Sequence, residues 1–251
     1  MCLILFAYQQ HPDYPLIMLS NRDEFFSRPS QAAHFWPDLP SIFAGRDKEA
    51  SGTWLGVNKN GRIAAVTNFR EPTQNQTYPL SRGELTAKFL QGNQHPNTYL
   101  QNIDTKQHLY SGFNLLVGTT EQLYYYSNRQ REILQLPKGI HGLSNSLLNS
   151  PWPKVDTGKA ALKQQLSQLD RQTLINILLD KQQHNDLLLP NTGIGIEAER
   201  MLSSRFIHSE HYGTRAATLL LIDKHGHMDF IEQTFLPDGS KGQLTQQRIN
   251  Y

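Results

Sequence analysis

The chain has 251 residues, of which 38% are hydrophobic and 18% charged, with 24 basic against 22 acidic side chains. That size and apolar share suit one large folded domain and exclude a disordered chain. The balance of +2 gives no argument for nucleic acid or an anionic membrane as partner.

The opening MCLILFAYQQ has no basic n-region, and no run approaches the ~20 apolar residues of a membrane span, so a cytoplasmic location without a membrane span is expected. A single cysteine forms no internal disulfide, which agrees with a reducing compartment. The sequon Asn75-Gln76-Thr77 is accordingly read as silent.

Residues 3–8 are apolar and strand-length, and 15–19 follow a His11-Pro12-Asp13 turn, giving a first hairpin. Residues 54–57 and 62–67 flank Asn58-Lys59-Asn60-Gly61, where Asn-Gly supplies the positive φ angles of a tight turn. Ser81-Arg82-Gly83-Glu84 fits a capping box ahead of Leu85, Phe89 and Leu90 at helical spacing. A short helix is expected at 96–103, strands at 113–117 and 123–126, and helices at 154–169 and 171–179, the last capped by Asp170. Tyr124-Tyr125-Tyr126 suits a strand covered on both faces. A late hairpin, 216–222 with 228–232, turns at Lys224-His225-Gly226, and the polar tail from about 237 is expected to fray. Strict strand–helix alternation is absent, so the pattern favours an α+β domain over 1–251: antiparallel sheets covered by segregated helices.

Cys2 follows the initiator methionine. Small second residues permit removal of that methionine, which leaves a thiol and a free α-amine on one residue. The amine, with an ordinary pKa of about 7.7–8.0, is then the proton acceptor for the thiol. A nearby cation favours the thiolate. Taken alone, a cysteine in an apolar strand is a small buried hydrophobe, so the chemical reading needs partners elsewhere.

Those partners come as ordered blocks: Ser20-Asn21-Arg22-Asp23-Glu24, Gly45-Arg46-Asp47, Gly52-Thr53-Trp54-Leu55-Gly56-Val57-Asn58, and a run from Gly61 to Asn68-Phe69-Arg70. Ser81-Arg82-Gly83, Gly112-Phe113-Asn114, His141-Gly142-Leu143-Ser144-Asn145-Ser146, Pro151-Trp152-Pro153-Lys154 and Gly213-Thr214-Arg215 complete them. With Cys2, this set resembles the NRDE family, the relatives of transport and Golgi organisation protein 2, over about residues 2–233. More distantly it resembles cysteine acylases of the N-terminal-nucleophile class, the penicillin V acylases and bile salt hydrolases.

The resemblance implies a four-layer αββα sandwich with Cys2 as nucleophile at a strand start. Asn21 and Asp23 match the family's Asn-x-Asp, with the arginine shifted onto Arg22. Asn68 and Asn145 match the two oxyanion-hole asparagines, and Arg215 the late arginine. In such a site an asparagine N–H aimed at the developing oxyanion is worth roughly 2.7–4 kcal/mol. Asp23 would orient the α-amine, and Arg22 or Arg215 would lower the thiol pKa or hold a substrate carboxylate. Asn21, Arg22, Trp54 and His141 stand as ligand-binding candidates. Each also has a plainer reading, as turn, cap, core or surface.

Two functions follow from the resemblance. One is a cysteine amidohydrolase acting on non-peptide C–N or related acyl bonds, with a small-molecule substrate and no required cofactor. The other is a haem-trafficking or acyl-lipid-handling protein using the same pocket, with haem as ligand and His34, His141 or Cys2 as conceivable iron ligands. A membrane-traffic adaptor ranks last, since no amphipathic basic helix or lipidation signal is present. His208/His211 and His225/His227 lack zinc-site spacing, and Gly193-Ile194-Gly195 reads as a turn.

Overall fold

The computed structural model describes residues 2–72 and 77–251; Asn75 and Gln76 of the sequon lie outside them. Two antiparallel sheets stack face to face. The first runs in the order β10 (Gly139–Leu143), β1 (Cys2–Tyr8), β2 (Leu16–Phe25), β11 (Tyr212–Ile222), β12 (His227–Phe235), β13 (Lys241–Asn250). The second runs in chain order through β3 (Ser30–Trp36), β4 (Leu39–Asp47), β5 (Leu55–Asn58), β6 (Ile63–Asn68), β7 (Phe113–Gly118), β8 (Leu123–Ser127) and β9 (Ile133–Gln135).

Alternation along each strand assigns the layers. Ile4, Phe6, Leu16 and Met18 of the first sheet meet Phe43, Val57, Ala65 and Tyr125 of the second in a central core. The opposite face of the first sheet, with Leu3, Leu5, Ile17 and Leu19, is covered by α3 (Pro153–Gln165) and α4 (Arg171–Leu178). The outer face of the second, with Ala64, Val66, Leu115 and Tyr126, is covered by α1 (Gly83–Gln91) and α2 (Pro96–Asp104). The order is therefore α–β–β–α, as the family resemblance implies. Tyr124, Tyr125 and Tyr126 are all buried, because β8 has apolar layers on both sides.

Several local expectations are corrected. β2 does not stop at Leu19 but continues through Asn21-Arg22-Asp23-Glu24, because β1 pairs with it up to Arg22 and β11 pairs with it up to Phe25. The 58–61 turn needs only one left-handed residue, Gly61 at φ 77°. The capping box at Ser81 does not form: Arg82 occupies the N-cap with no side-chain cap bond, and the Glu84 carboxylate accepts instead from Lys88 and Tyr110. The polar tail is not frayed; residues 241–250 are β13, paired to β12, with Ile249 in the central core. A short helix α5 (Ile196–Met201) begins after Gly195 at φ 89°.

Candidate active site

Cys2 opens β1 and pairs with Arg22 of β2, so thiol and guanidinium share the face that looks between the sheets. The two side chains line one cleft together with Asp23, Trp54 and Asn68, and with Arg28, Asp47 and Arg82. Trp54 stacks under Arg22, whose guanidinium carbon lies 4.5 Å from the ring centroid. On the other side the indole leaves no room for a side chain at Gly45: a Cβ there would lie 2.3 Å from the ring. Arg22 also donates to Asp47 at 3.3 Å, and Arg28 forks onto the same carboxylate at 2.6 and 3.2 Å.

Asp23 sits behind the thiol on the helix-facing side. A bulge in β11 between Thr214 and Ala216 brings Thr214 opposite Asp23. Thr214 Oγ1 donates to Asp23 Oδ1 at 2.7 Å, and the Tyr212 hydroxyl donates to the Asp23 carbonyl at 2.9 Å. Burial pushes the Asp23 carboxyl up, and Lys154 on α3 is the first force opposing it. Lys154 is itself 2% exposed, its Nζ donating to the Leu202 carbonyl at 2.9 Å. Burial brings its pKa down to about 8, with Arg70 adding to the fall and Asp23 and Cys2 opposing. Arg70 completes this inner shell: it pairs with buried Glu199 and lies 4.5 Å over Trp152. Burial pushes the Cys2 thiol up as well; Asp23 adds to the rise, and Arg22 and the Asp23 backbone N–H oppose it.

The two sheets are tied together beside Cys2. Ser144 Oγ donates to the Cys2 carbonyl at 3.2 Å, and Thr67 Oγ1 donates to the Ser144 carbonyl at 2.6 Å. Asn145 is fully buried; its Nδ2 donates to the Asn68 carbonyl at 2.9 Å, and its own carbonyl accepts from the Arg70 N–H at 2.6 Å. Asn145 thus holds Asn68 rather than lining the cleft. Of the two asparagines, Asn68 is the one that stands in the cleft lining with Cys2.

Four expected residues lie elsewhere. Asn21 points to the helix layer, where Nδ2 donates to the Leu178 and Arg205 carbonyls, both at 2.8 Å; period-two alternation puts it opposite Arg22. Arg215 is the extra residue of the β11 bulge. Its Nη1 donates to the carbonyls of Phe25, Phe26 and Arg28 at 3.0, 3.3 and 3.1 Å, so it fastens the chain after β2 and borders a separate hollow behind Trp54. His141 pairs with Phe6, well along β1 from Cys2, and its ring nitrogens meet the Pro137 carbonyl and Asn149. His34 engages the Ala32 carbonyl through Nδ1. Neither histidine lines the Cys2 cleft.

Lys154 and Arg82 were not singled out by type or spacing, although both stand in the quoted blocks. Among the described residues no helix is long and apolar enough to cross a membrane.

Comparison with known proteins bears on the fold and the family. The fold is similar to that of the C2A mutant of conjugated bile acid hydrolase from Clostridium perfringens, with a TM-score of 0.56 at 8% identity over 100% of this chain and 96% of that one. It is also similar to the Caenorhabditis elegans ortholog of N-acylethanolamine-hydrolyzing acid amidase, with a TM-score of 0.51 at 10% identity over 88% and 92%. At such identities the likeness is one of fold: the αββα arrangement of N-terminal-nucleophile hydrolases. In sequence the chain is 36% identical to the transport and Golgi organization protein 2 homolog of Bos taurus, over 94% of each chain, and 35% identical to that of Homo sapiens over the same shares. The Drosophila melanogaster protein, transport and Golgi organization protein 2, is 28% identical over 93% of this chain. The family model described as Transport and Golgi organisation 2 matches residues 1–237, and the chain belongs to that family.

Proposed function

We propose that this protein is a cysteine hydrolase of linear amide or related acyl bonds, with Cys2 as nucleophile. One observation carries the reading: three strands from two sheets bring Cys2, Asp23 and Asn68 to one cleft, with Arg22 on the thiol's own face. Two proteins of similar fold, a conjugated bile acid hydrolase and an N-acylethanolamine-hydrolyzing acid amidase, carry names of the same chemical class.

In this reading the Cys2 sulfur attacks the acyl carbon and its proton passes to the Cys2 α-amine, freed by loss of Met1. Because burial raises the thiol, little thiolate waits in the resting site, and the proton moves during attack. Asp23 orients the amine, and Lys154 behind it opposes the burial that disfavours the charged carboxylate. The Asn68 amide donates to the developing oxyanion. The C–N bond then breaks as the leaving nitrogen takes the proton back. Water cleaves the thioester, returns a proton to sulfur and releases the acid.

The test is turnover of a panel of N-acyl and thioester substrates. Intact mass is measured first to establish that Met1 is absent. Cys2→Ala is expected to abolish turnover and leave the circular dichroism spectrum and the melting curve in place. Equal turnover in Cys2→Ala, or turnover by a protein that retains Met1, would overturn the mechanism.

A further inference from the structure

The cleft holds three arginines, and they differ in what satisfies them. Arg22 and Arg28 are both committed to Asp47, which sits between them. Arg82 has no such partner. Among the described residues its guanidinium makes one hydrogen bond, Nη1 to the Gly112 carbonyl at 3.2 Å, and no ion pair. It is half-buried and stands in the lining that contains Cys2. Burial depresses its pKa, and the nearby Glu24 and Cys2 oppose the fall; an arginine in such a place stays charged.

A half-buried guanidinium that makes no ion pair keeps donors for a ligand, and the fork of N–H groups it presents matches a carboxylate in two-point contact. Its position is also fixed by backbone. The next residue, Gly83, accepts from the Thr53 N–H at 3.1 Å. A Cβ at Gly52 would come within 2.5 Å of the Gly83 carbonyl carbon and oxygen, so this close approach admits only glycine. The loop carrying Arg82 is thereby clamped against the loop leading to Trp54. Glu24, the cleft carboxylate that faces Arg82 electrostatically, accepts from its own chain at the Phe25 N–H, 3.0 Å, rather than from Arg82.

We propose that Arg82 is the anion-binding residue of the Cys2 cleft, and that the site selects acyl substrates carrying a carboxylate close to the bond that is cut. The substrate class rests on the hydrolase reading above; the anion subsite does not. Arg82 takes the role that sequence reasoning offered to Arg22 or Arg215, both of which are spent on protein acceptors.

Cys2 is the chain's sole cysteine, so its alkylation reads the subsite without any knowledge of the substrate. Iodoacetate and iodoacetamide place a carboxylate or a neutral amide in the same position. In either case the thiolate forms an S–C bond, iodide leaves, and the thiol proton goes to buffer. The ratio of the two rates at one pH is independent of how much thiolate is present. Measured by intact mass, that ratio is expected to exceed the ratio for glutathione in the same buffer. It should fall about tenfold in Arg82→Gln, the factor for one charge-assisted contact, and partly recover in Arg82→Lys. An unchanged ratio in folded Arg82→Gln overturns the subsite, as does a wild-type ratio equal to that of glutathione or a Cys2 inert to both reagents. Arg82→Lys decides the matter should Arg82→Gln not fold. A ratio that responds while no amide is cleaved would leave the subsite standing and sink the hydrolase; cleavage indifferent to substrate charge with an unresponsive ratio would do the reverse.

Discussion

Glu232 is 1% exposed on β12, accepting from the Ala33 N–H at 2.7 Å and from Thr218 Oγ1 at 3.4 Å. Burial pushes its carboxyl up to about 7. Between about 4.5 and 7 the folded chain therefore holds a proton there that the unfolded chain has lost, so stability falls as pH rises through that window. The favourable contribution is complete below about 4.5 and gone above about 7. Glu232→Gln keeps an acceptor for Ala33 and removes the ionisation. It is expected to raise unfolding free energy at pH 8 by on the order of 2–3 kcal/mol relative to wild type, with little gain at pH 5. Urea unfolding at the two pH values checks this, and an equal effect at both would refute it. At the same scale, Cys2, Arg22 and Asp23 could be picked out from short ordered blocks of the chain, whereas Asn21, quoted with them, points to the helix layer. Lys154 and Arg82 could not be picked out, because the burial of Lys154 and the place of Arg82 in the Cys2 cleft both depend on elements distant in sequence.

Elements whose signal is local emerged as expected, and those needing a partner did not. The Asp170 cap of α4 is such a local signal: its carboxylate accepts from the Thr173 N–H at 2.7 Å. The Ser81 box has the right letters, but Glu84 is drawn to Tyr110 and Lys88, so the reciprocal bond is missing. Asp170→Ala is expected to cost about 1 kcal/mol, the usual worth of an N-cap, and Ser81→Ala less than about 0.5 kcal/mol. Equal costs in chemical denaturation would contradict the assignment. β2 was read as ending near Leu19 because Asn, Arg, Asp and Glu have the look of a charged turn. In the sheet it is an inner strand, and its polar end is held by β1 on one side and by the bulged β11 on the other. The bulge that turns Arg215 away also aims Thr214 at Asp23, and nothing in Gly213-Thr214-Arg215 announces it.

At the scale of the molecule, β13 closes one edge of the first sheet and is largely polar because most of it faces water. Its contribution is concentrated in Ile249, 4% exposed in the central core, and in Arg248, which pairs with Asp229 at 2.7 Å. Truncation after Leu236 removes both and leaves β12 as an open edge. A loss of at least about 2 kcal/mol is expected from the buried isoleucine alone, together with self-association from the unpaired edge. Calorimetry and light scattering would read these, and a truncated monomer of unchanged melting temperature would sink the prediction.

Sequence by itself determined the family, the α+β layering, most of the hairpins and helices, and the nucleophile candidate with its Asn-x-Asp neighbour. Each of these is written in short-range periodicity, turn chemistry or contiguous blocks. Only the tertiary structure decided which of the polar residues meet. Stacking two sheets set Asn68 beside Cys2 and turned Asn145 into its support. A one-residue bulge removed Arg215 from the cleft, and helix packing buried Lys154 behind Asp23. Pairing Arg22 and Arg28 with one aspartate left Arg82 as the cleft arginine without an ion pair among the described residues. Desolvation and charge pairing depend on what surrounds a side chain in three dimensions, and residues far apart in sequence supply those surroundings.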